Sequence, residues 1–296
     1  MFADAKTSIT DPADGLPHLA PRPPDSHKGS FGSALLIGGS VGMSGAIALA
    51  GMAALRGGAG LVRLAVPTPC QAIVAGFEPS YMVLGLPSDG EGRIAGAARE
   101  MIAKECDRAT AIACGPGLGR SAELSDLVAG LFANLPQPLV LDADALNALA
   151  ERMDGLPRPA GPRVLTPHPG EFARLLGTTT SSVKTHREPL ADELALRLGA
   201  VVVVKGHHTY IADGGRSAVN STGNPGMATG GTGDVLTGLI TALLCQGLDA
   251  FDASRLGVHL HGLAGDLAAA ELGEVSLIAS DLIRYLPKAI RQHGAL

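Results

Sequence analysis

A carboxylate follows directly on a glycine-rich turn in Asn224-Pro225-Gly226-Met227-Ala228-Thr229-Gly230-Gly231-Thr232-Gly233-Asp234. Glycines at 230, 231 and 233 permit positive φ and leave no Cβ between the backbone N–H groups and a phosphate. The apolar run 235–244 reads as a buried helix whose first turn holds Asp234, and a helix N-terminus attracts anions. An isolated glycine-rich turn more often just caps a packed helix. The acid changes that reading, because a carboxylate beside a phosphate cradle repels the ligand unless it handles a proton or a metal. The run points to phosphoryl chemistry, with Asp234 a candidate base.

Five further clusters carry polar or glycine-rich residues. They are 38–46 (Gly38-Gly39-Ser40-Val41-Gly42-Met43-Ser44-Gly45-Ala46), 115–119 (Gly115-Pro116-Gly117-Leu118-Gly119), 142–147 (Asp142-Ala143-Asp144-Ala145-Leu146-Asn147), 166–171 (Thr166-Pro167-His168-Pro169-Gly170-Glu171) and 205–209 (Lys205-Gly206-His207-His208-Thr209). The first is as well explained by a tight turn as by a ligand, and no acidic residue completes a dinucleotide fingerprint. The second exposes amides in a stiff turn, which favours an anion or ribose contact. Of Asp142 and Asp144, at least one is expected to cap the following helix. Pro169 fits a first helical turn, placing Glu171 either as a magnesium ligand or as a helix-dipole partner. Lys205 follows four valines and needs a counter-charge, which a phosphate, Asp142 or Glu171 can supply. His259 and His261 lie two positions apart on a helix, on different faces, and form no metal pair.

These clusters need a scaffold that brings them to one edge. Short β-rich runs at 34–37, 61–66, 81–84, 109–114, 138–141, 163–166 and 201–204 alternate with helical stretches. That alternation predicts a mostly parallel sheet with helices on both faces. Residues 209–211 and 217–219, separated by Asp213-Gly214-Gly215, predict an antiparallel edge hairpin, and helices are expected at 234–246, 252–272 and 280–291. Ligands in such sheets bind beyond the carboxyl ends of the strands, where all five clusters fall. One domain, 28–296, follows a proline-rich arm, 1–27.

Composition excludes several trades. The chain has 296 residues, 40 glycines, 46% hydrophobic and 3% aromatic residues and no Trp, so its core is built from small aliphatics. With a net charge of −5 there is no electrostatic case for nucleic acid or a membrane surface. Cys70, Cys106, Cys114 and Cys245 are scattered without a CxxC pair, which fits reduced thiols and a cytoplasmic location. There is no secretory signal, no membrane-spanning run, no GxxxxGK[ST] loop and no GxSxG nucleophile elbow.

Taken together, these motifs resemble the ribokinase superfamily, whose anion hole ends in a catalytic aspartate of the pattern GxGD, here Gly231-Thr232-Gly233-Asp234. Within it the chain is similar to the ADP/ATP-dependent NAD(P)H-hydrate dehydratases over residues 28–290. Lys28-Gly29-Ser30-Phe31-Gly32, Gly57-Gly58-Ala59-Gly60-Leu61-Val62, Lys205-Gly206 and the clusters above carry the likeness. The resemblance implies a ribokinase-like three-layer α/β/α sandwich and a reaction that phosphorylates the hydroxyl of hydrated NADH or NADPH and then expels phosphate. It implies that Ala46, Gly117, His168 and Asp234 contact the hydrate. Lys205, Gly206, His207, His208 and Thr209, with Gly230, Gly231, Thr232 and Gly233, would hold the adenine nucleotide. ADP is the implied donor, with ATP an alternative, and Mg²⁺ the implied metal. His168 replaces the Asn of the superfamily's NxxE magnesium motif, which bears on Glu171. A homotetramer is implied. Epimerase activity, fused to many relatives, is expected from a separate protein. The rival readings are a hydroxymethylpyrimidine or hydroxyethylthiazole kinase, whose product keeps the phosphate, and a nucleotide-binding regulator, which has no use for Asp234.

Overall fold

The central strands of this chain are buried on both faces, as a sheet covered by two helical layers requires. In the run Val201–Val204 every side chain is buried, with Val201 and Val203 in one core and Val202 and Val204 in the other. The computed structural model describes residues 9–10 and 15–294. Its strands are β1 (Ile9–Thr10), β2 (Ser33–Ile37), β3 (Leu61–Pro67), β4 (Met82–Leu86), β5 (Ala111–Cys114), β6 (Leu139–Leu141), β7 (Arg163–Leu165), β8 (Val201–Val204), β9 (Tyr210–Ala212) and β10 (Ser217–Val219). The helices are α1 (Ser44–Arg56), α2 (Gln71–Ala75), α3 (Arg99–Cys106), α4 (Ala122–Asn134), α5 (Asp144–Ala150), α6 (Pro169–Leu175), α7 (Thr180–Thr185), α8 (Arg187–Leu198), α9 (Thr232–Cys245), α10 (Ala250–Leu272) and α11 (Ala279–Gln292).

The sheet order is β1-β10-β9-β8-β7-β6-β5-β2-β3-β4. From β8 to β4 every pairing is parallel, and β9 runs antiparallel between β8 and β10. The expected edge hairpin is present, shifted by one residue on its first strand. Other bounds moved slightly: the strand expected at 81–84 is Met82–Leu86, and the helix expected from 234 begins at Thr232. Side chains of α1, α2, α9, α10 and α11 form one core with one face of the sheet, and those of α3 to α8 form the other. This is the three-layer α/β/α sandwich.

Small residues set the depth of the α9 layer. A Cβ on Gly238 would collide with the carbonyl of Ala50, so α1 and α9 pack backbone to backbone. That contact fixes α9 against the sheet. Of the arm, residues 1–8 and 11–14 lie outside the described residues. Ile9–Thr10 pairs in parallel with Ser217–Ala218, Leu16 is buried, and Arg22 sits 3.7 Å over the Phe31 ring and donates to the Gly58 carbonyl. Among the described residues no helix is long and apolar enough to cross a membrane.

Candidate active site

The chain order reverses between β2 and β5: strands β2, β3 and β4 lead one way, and β5 to β8 the other. Loops leaving the carboxyl ends of these two neighbours must splay apart, which opens the crevice where ligands bind. The loop after β2 is tied to the loop after β5. Gly39 N–H donates to the Pro116 carbonyl at 2.8 Å, and Ser40 Oγ donates to the Gly117 carbonyl at 2.8 Å. A Cβ on Gly117 would lie 3.2 Å from that of Ala46 in the first turn of α1, so these two implied substrate contacts adjoin.

The glycine run after β10 is held from behind. Asn224 donates to Asp266 at 3.0 Å, and Thr232 Oγ1 donates to the carbonyls of Met227 and Thr229, each at 3.1 Å. His261 Nε2 lies 2.8 Å from the Thr232 carbonyl. Gly231 adopts φ 93° as the N-cap of α9, a left-handed conformation that glycine takes without strain. No side chain caps α9, so the amides of Thr232, Gly233 and Asp234 point out of the helix end without intrahelical partners. Such a helix end is a candidate anion cradle, with Asp234 in its first turn.

Below the cradle lies a knot of charge. Asp142, at the end of β6, is buried; it accepts from Lys205 Nζ at 2.6 Å and from Thr237 Oγ1 on α9 at 2.7 Å. Of the two carboxylates considered for Lys205, Asp142 is the one in contact. Burial lowers the Lys205 pKa, but the charges of Asp142 and Glu171 more than offset it, and the group is held above its ordinary value. Asp234 is pushed up to about 7, by burial and then by the charge of Asp142, with Lys205 opposing. Burial also pushes Glu171 up to about 7, Lys205 opposing and Asp142 reinforcing. An aspartate poised near neutrality in the first turn of an uncapped helix is suited to accept a proton.

The expectation that Asp142 or Asp144 caps a helix is corrected. The N-cap of α5 is Ala143, at φ 51° and with no side-chain cap. Asp142 is committed to Lys205 and Thr237. Asp144 instead accepts from the Gly119 amide at 2.9 Å and from Asn147 at 3.4 Å, so the turn after β5 meets a carboxylate of its own chain.

Pro169 opens α6, as its fixed φ favours, and Glu171 is the third helical residue. His168 Nδ1 accepts from the amides of Gly170 and Glu171, which puts the ring proton on Nε2, 3.3 Å from Glu171 Oε1. Glu171 Oε2 accepts from the His168 amide at 2.8 Å, completing a capping box. The His168 ring is exposed at the mouth, while Glu171 is buried. A metal on Glu171 would have to displace these contacts, and no group of three or more His, Cys, Asp or Glu that could hold a metal occurs among the described residues. The side chains present do not fit a magnesium cage at Glu171, and no step below runs through a metal.

The segment after β8 is open to solvent. Gly206, His207 and His208 are exposed; Thr209 Oγ1 donates to the Gly206 carbonyl, and Arg187 donates to that of His207. Residues that sequence reasoning missed lie on α9 and α10. Thr237 stands one helical turn after Gly233, a polar residue inside an apolar run, and that mismatch was the available signal. His261, set aside as no metal ligand, and Asp266 hold the cradle loop; nothing in their spacing announced it.

The family model for NAD(P)H-hydrate dehydratase matches residues 34–288. The chain is 45% identical over 274 residues to the bifunctional NAD(P)H-hydrate repair enzyme of Moorella thermoacetica, covering 92% of this chain and 52% of that protein. It thus spans about half the length of the bifunctional curated relatives it matches. It is 38% identical over 292 residues to the ADP-dependent (S)-NAD(P)H-hydrate dehydratase of Neisseria meningitidis, covering 95% of this chain and 93% of that one. The ADP/ATP-dependent NAD(P)H-hydrate dehydratase of Bacillus subtilis, co-crystallised with ATP/Mg²⁺, superposes with a TM-score of 0.83 at 33% identity, over 97% of this chain and 99% of that one. The sandwich is ribokinase-like. With the cradle, its aspartate and the converging loops all inside the matched segment, the chain belongs to the NAD(P)H-hydrate dehydratase family.

Proposed function

We propose that this chain repairs hydrated NADH and NADPH, using ADP to dehydrate the S-epimer and releasing AMP and phosphate. The observation that carries the reading is the uncapped N-terminus of α9 with Asp234 in its first turn. Asp234 takes the proton of the ring hydroxyl as the oxygen attacks the terminal phosphorus of the nucleotide. The amides of the 230–233 turn and the start of α9, those of Thr232 and Gly233 among them, stabilise charge on the transferred phosphoryl group, a contribution that needs fixed donors rather than new bonds. The carbon–oxygen bond then breaks with loss of phosphate, the neighbouring ring carbon gives up a proton, and the double bond is restored.

Ala46, Gly117 and the exposed His168 ring are the proposed hydrate contacts. The nucleotide is assigned to the segment Lys205, Gly206, His207, His208 and Thr209 as a strand-end loop, and to Gly230, Gly231, Thr232 and Gly233. What supports this is the common edge: the solvent-open 206–208 segment and the cradle both border the carboxyl ends of the parallel strands. The homotetramer and the cytoplasmic location belong to the same proposal, and light scattering tests the former.

The deciding assay mixes purified protein with hydrated NADH, Mg²⁺ and either ADP or ATP and follows the nicotinamide absorbance. Recovery of NADH with release of inorganic phosphate is expected, faster with ADP. A phosphorylated product that persists would point to the vitamin-precursor kinase reading, and silence with both donors would end the proposal.

A further inference from the structure

Lys205 stands in the segment assigned to the nucleotide, where a lysine invites the role of phosphate ligand. Its surroundings argue otherwise. The ammonium lies 2.6 Å from Asp142 Oδ1, and Asp142 is 1% exposed. The other oxygen of that carboxylate accepts from Thr237 at 2.7 Å, and the Thr237 hydroxyl also lies 3.2 Å from the Gly233 carbonyl. A Cβ built on Gly233 would sit 3.1 Å from Lys205 Nζ and 3.6 Å from Asp142 Oδ2. The pair therefore lies directly against the backbone of the second residue of α9. The Lys205 amide is itself fixed, donating to the Pro167 carbonyl at 2.9 Å.

We infer that Asp142 and Lys205 are a positioning pair that locks the N-terminal turn of α9 to the ends of β6 and β8 through Thr237, so that the Lys205 ammonium serves Asp142 rather than a nucleotide phosphate. Three elements distant in sequence meet at one carboxylate, and the cradle amides inherit their placement from it. A buried carboxylate stripped of its counter-ion is strongly unfavourable, so a phosphate that drew Lys205 away would leave Asp142 uncompensated. Cradle amides act on the transferred phosphoryl group only at hydrogen-bond distance, so a small shift of this turn lowers turnover before it lowers binding.

The inference rests on the proposed nucleotide site for its functional half and on geometry alone for its structural half, and the test separates them. Lys205→Met, Asp142→Asn, the double variant carrying both, and Thr237→Val are compared by thermal unfolding and by calorimetric titration with ADP. The unfolding cycle needs no activity: each single charge variant is expected to melt well below the parent, and the double variant to recover most of the loss. Additive losses would overturn the pair. Where a single variant does not fold, the double variant and Thr237→Val carry the comparison: a double variant that also fails to fold overturns the pair, as does Thr237→Val with parental turnover. In the folded variants, ADP affinity is expected within about threefold of the parent while turnover at saturation falls by about tenfold or more. A phosphate-binding lysine would give the reverse, with affinity lost in Lys205→Met and gained in Asp142→Asn. If the parent itself binds no ADP, the proposed function fails while the unfolding cycle still judges the pair.

Discussion

His261 Nε2 stands 2.8 Å from the carbonyl oxygen of Thr232, so the residue that begins the cradle helix is held by a neutral imidazole donating from α10. Burial pushes the His261 pKa down to about 4, the Thr232 bond opposing and Lys205 reinforcing, and the ring stays uncharged at neutral pH.

Replacing His261 by Phe removes this donor. Nucleotide affinity is expected to fall by about fivefold to tenfold, the worth of one hydrogen bond, with His261→Gln keeping most of it. The sign of the pH effect follows from the depressed value. The stability from the neutral ring is present above the ordinary histidine range near 6.5 and is lost as pH falls towards about 4. His261→Gln should therefore flatten the acid limb of stability over that window. An unchanged limb in urea titrations at several pH values would refute the assignment.

Asp234→Asn should keep ADP binding and lose turnover by about 10² or more, the scale of a general base. Equal loss of both, measured by calorimetry and steady-state kinetics, would make Asp234 a structural residue.

The same substitution is expected to stabilise the protein at pH 8. The folded-state value of about 7 lies above the ordinary 3.8, so the stability of the protonated form is complete below about 4 and lost as pH rises through 7. Asparagine stays neutral, and a gain of about 1–3 kcal/mol is expected at pH 8, shrinking to nothing near pH 4. Denaturant midpoints at the two pH values check it, and a loss of stability at pH 8 would contradict the burial argument.

Activity should fall on the acid side of about 7 as Asp234 takes up its proton. Glu171, itself pushed to about 7, raises the Asp234 value by its charge, so the observed midpoint belongs to the coupled pair. Glu171→Gln removes that charge and should move the midpoint of the kcat/KM profile to lower pH. A shift upward, or none, would remove Glu171 from the electrostatics of the base.

Arg163 offers a control outside the site. Its guanidinium is buried under α4 and donates to the carbonyls of Phe132, Leu131, Leu135, Gln137 and Pro162, with its pKa pulled down to about 10 by burial. Arg163→Met strands those acceptors at a cost of about 3 kcal/mol or more, a drop of several degrees in Tm. KM for nucleotide should not change, and a KM effect would tie α4 to the site.

The sequence made the layers legible because each strand and helix declares itself over a few neighbouring residues. The valines of β8 and the glycines around Asp234 needed no partner to be read. Partner choice was not legible. Lys205 and Asp142 are separated by 63 positions, Thr237 and Asp142 by 95, and local pattern left three candidates for the lysine. The capping expectation failed for a related reason. Ala143 takes a positive φ, a backbone choice that no alanine advertises, and this turns Asp144 towards Gly119 instead of onto its own helix. Arg163 was invisible because its partners are carbonyls, which every residue possesses.

The two residues of β1 lie along one edge of the sheet. Without β1, strand β10 would end the hairpin side of the sheet, and an open strand edge is a template on which another chain can add itself. Ile9–Thr10 occupies that template along Ser217–Ala218. Pairing along these two residues narrows the stretch of β10 on which another chain could add a strand.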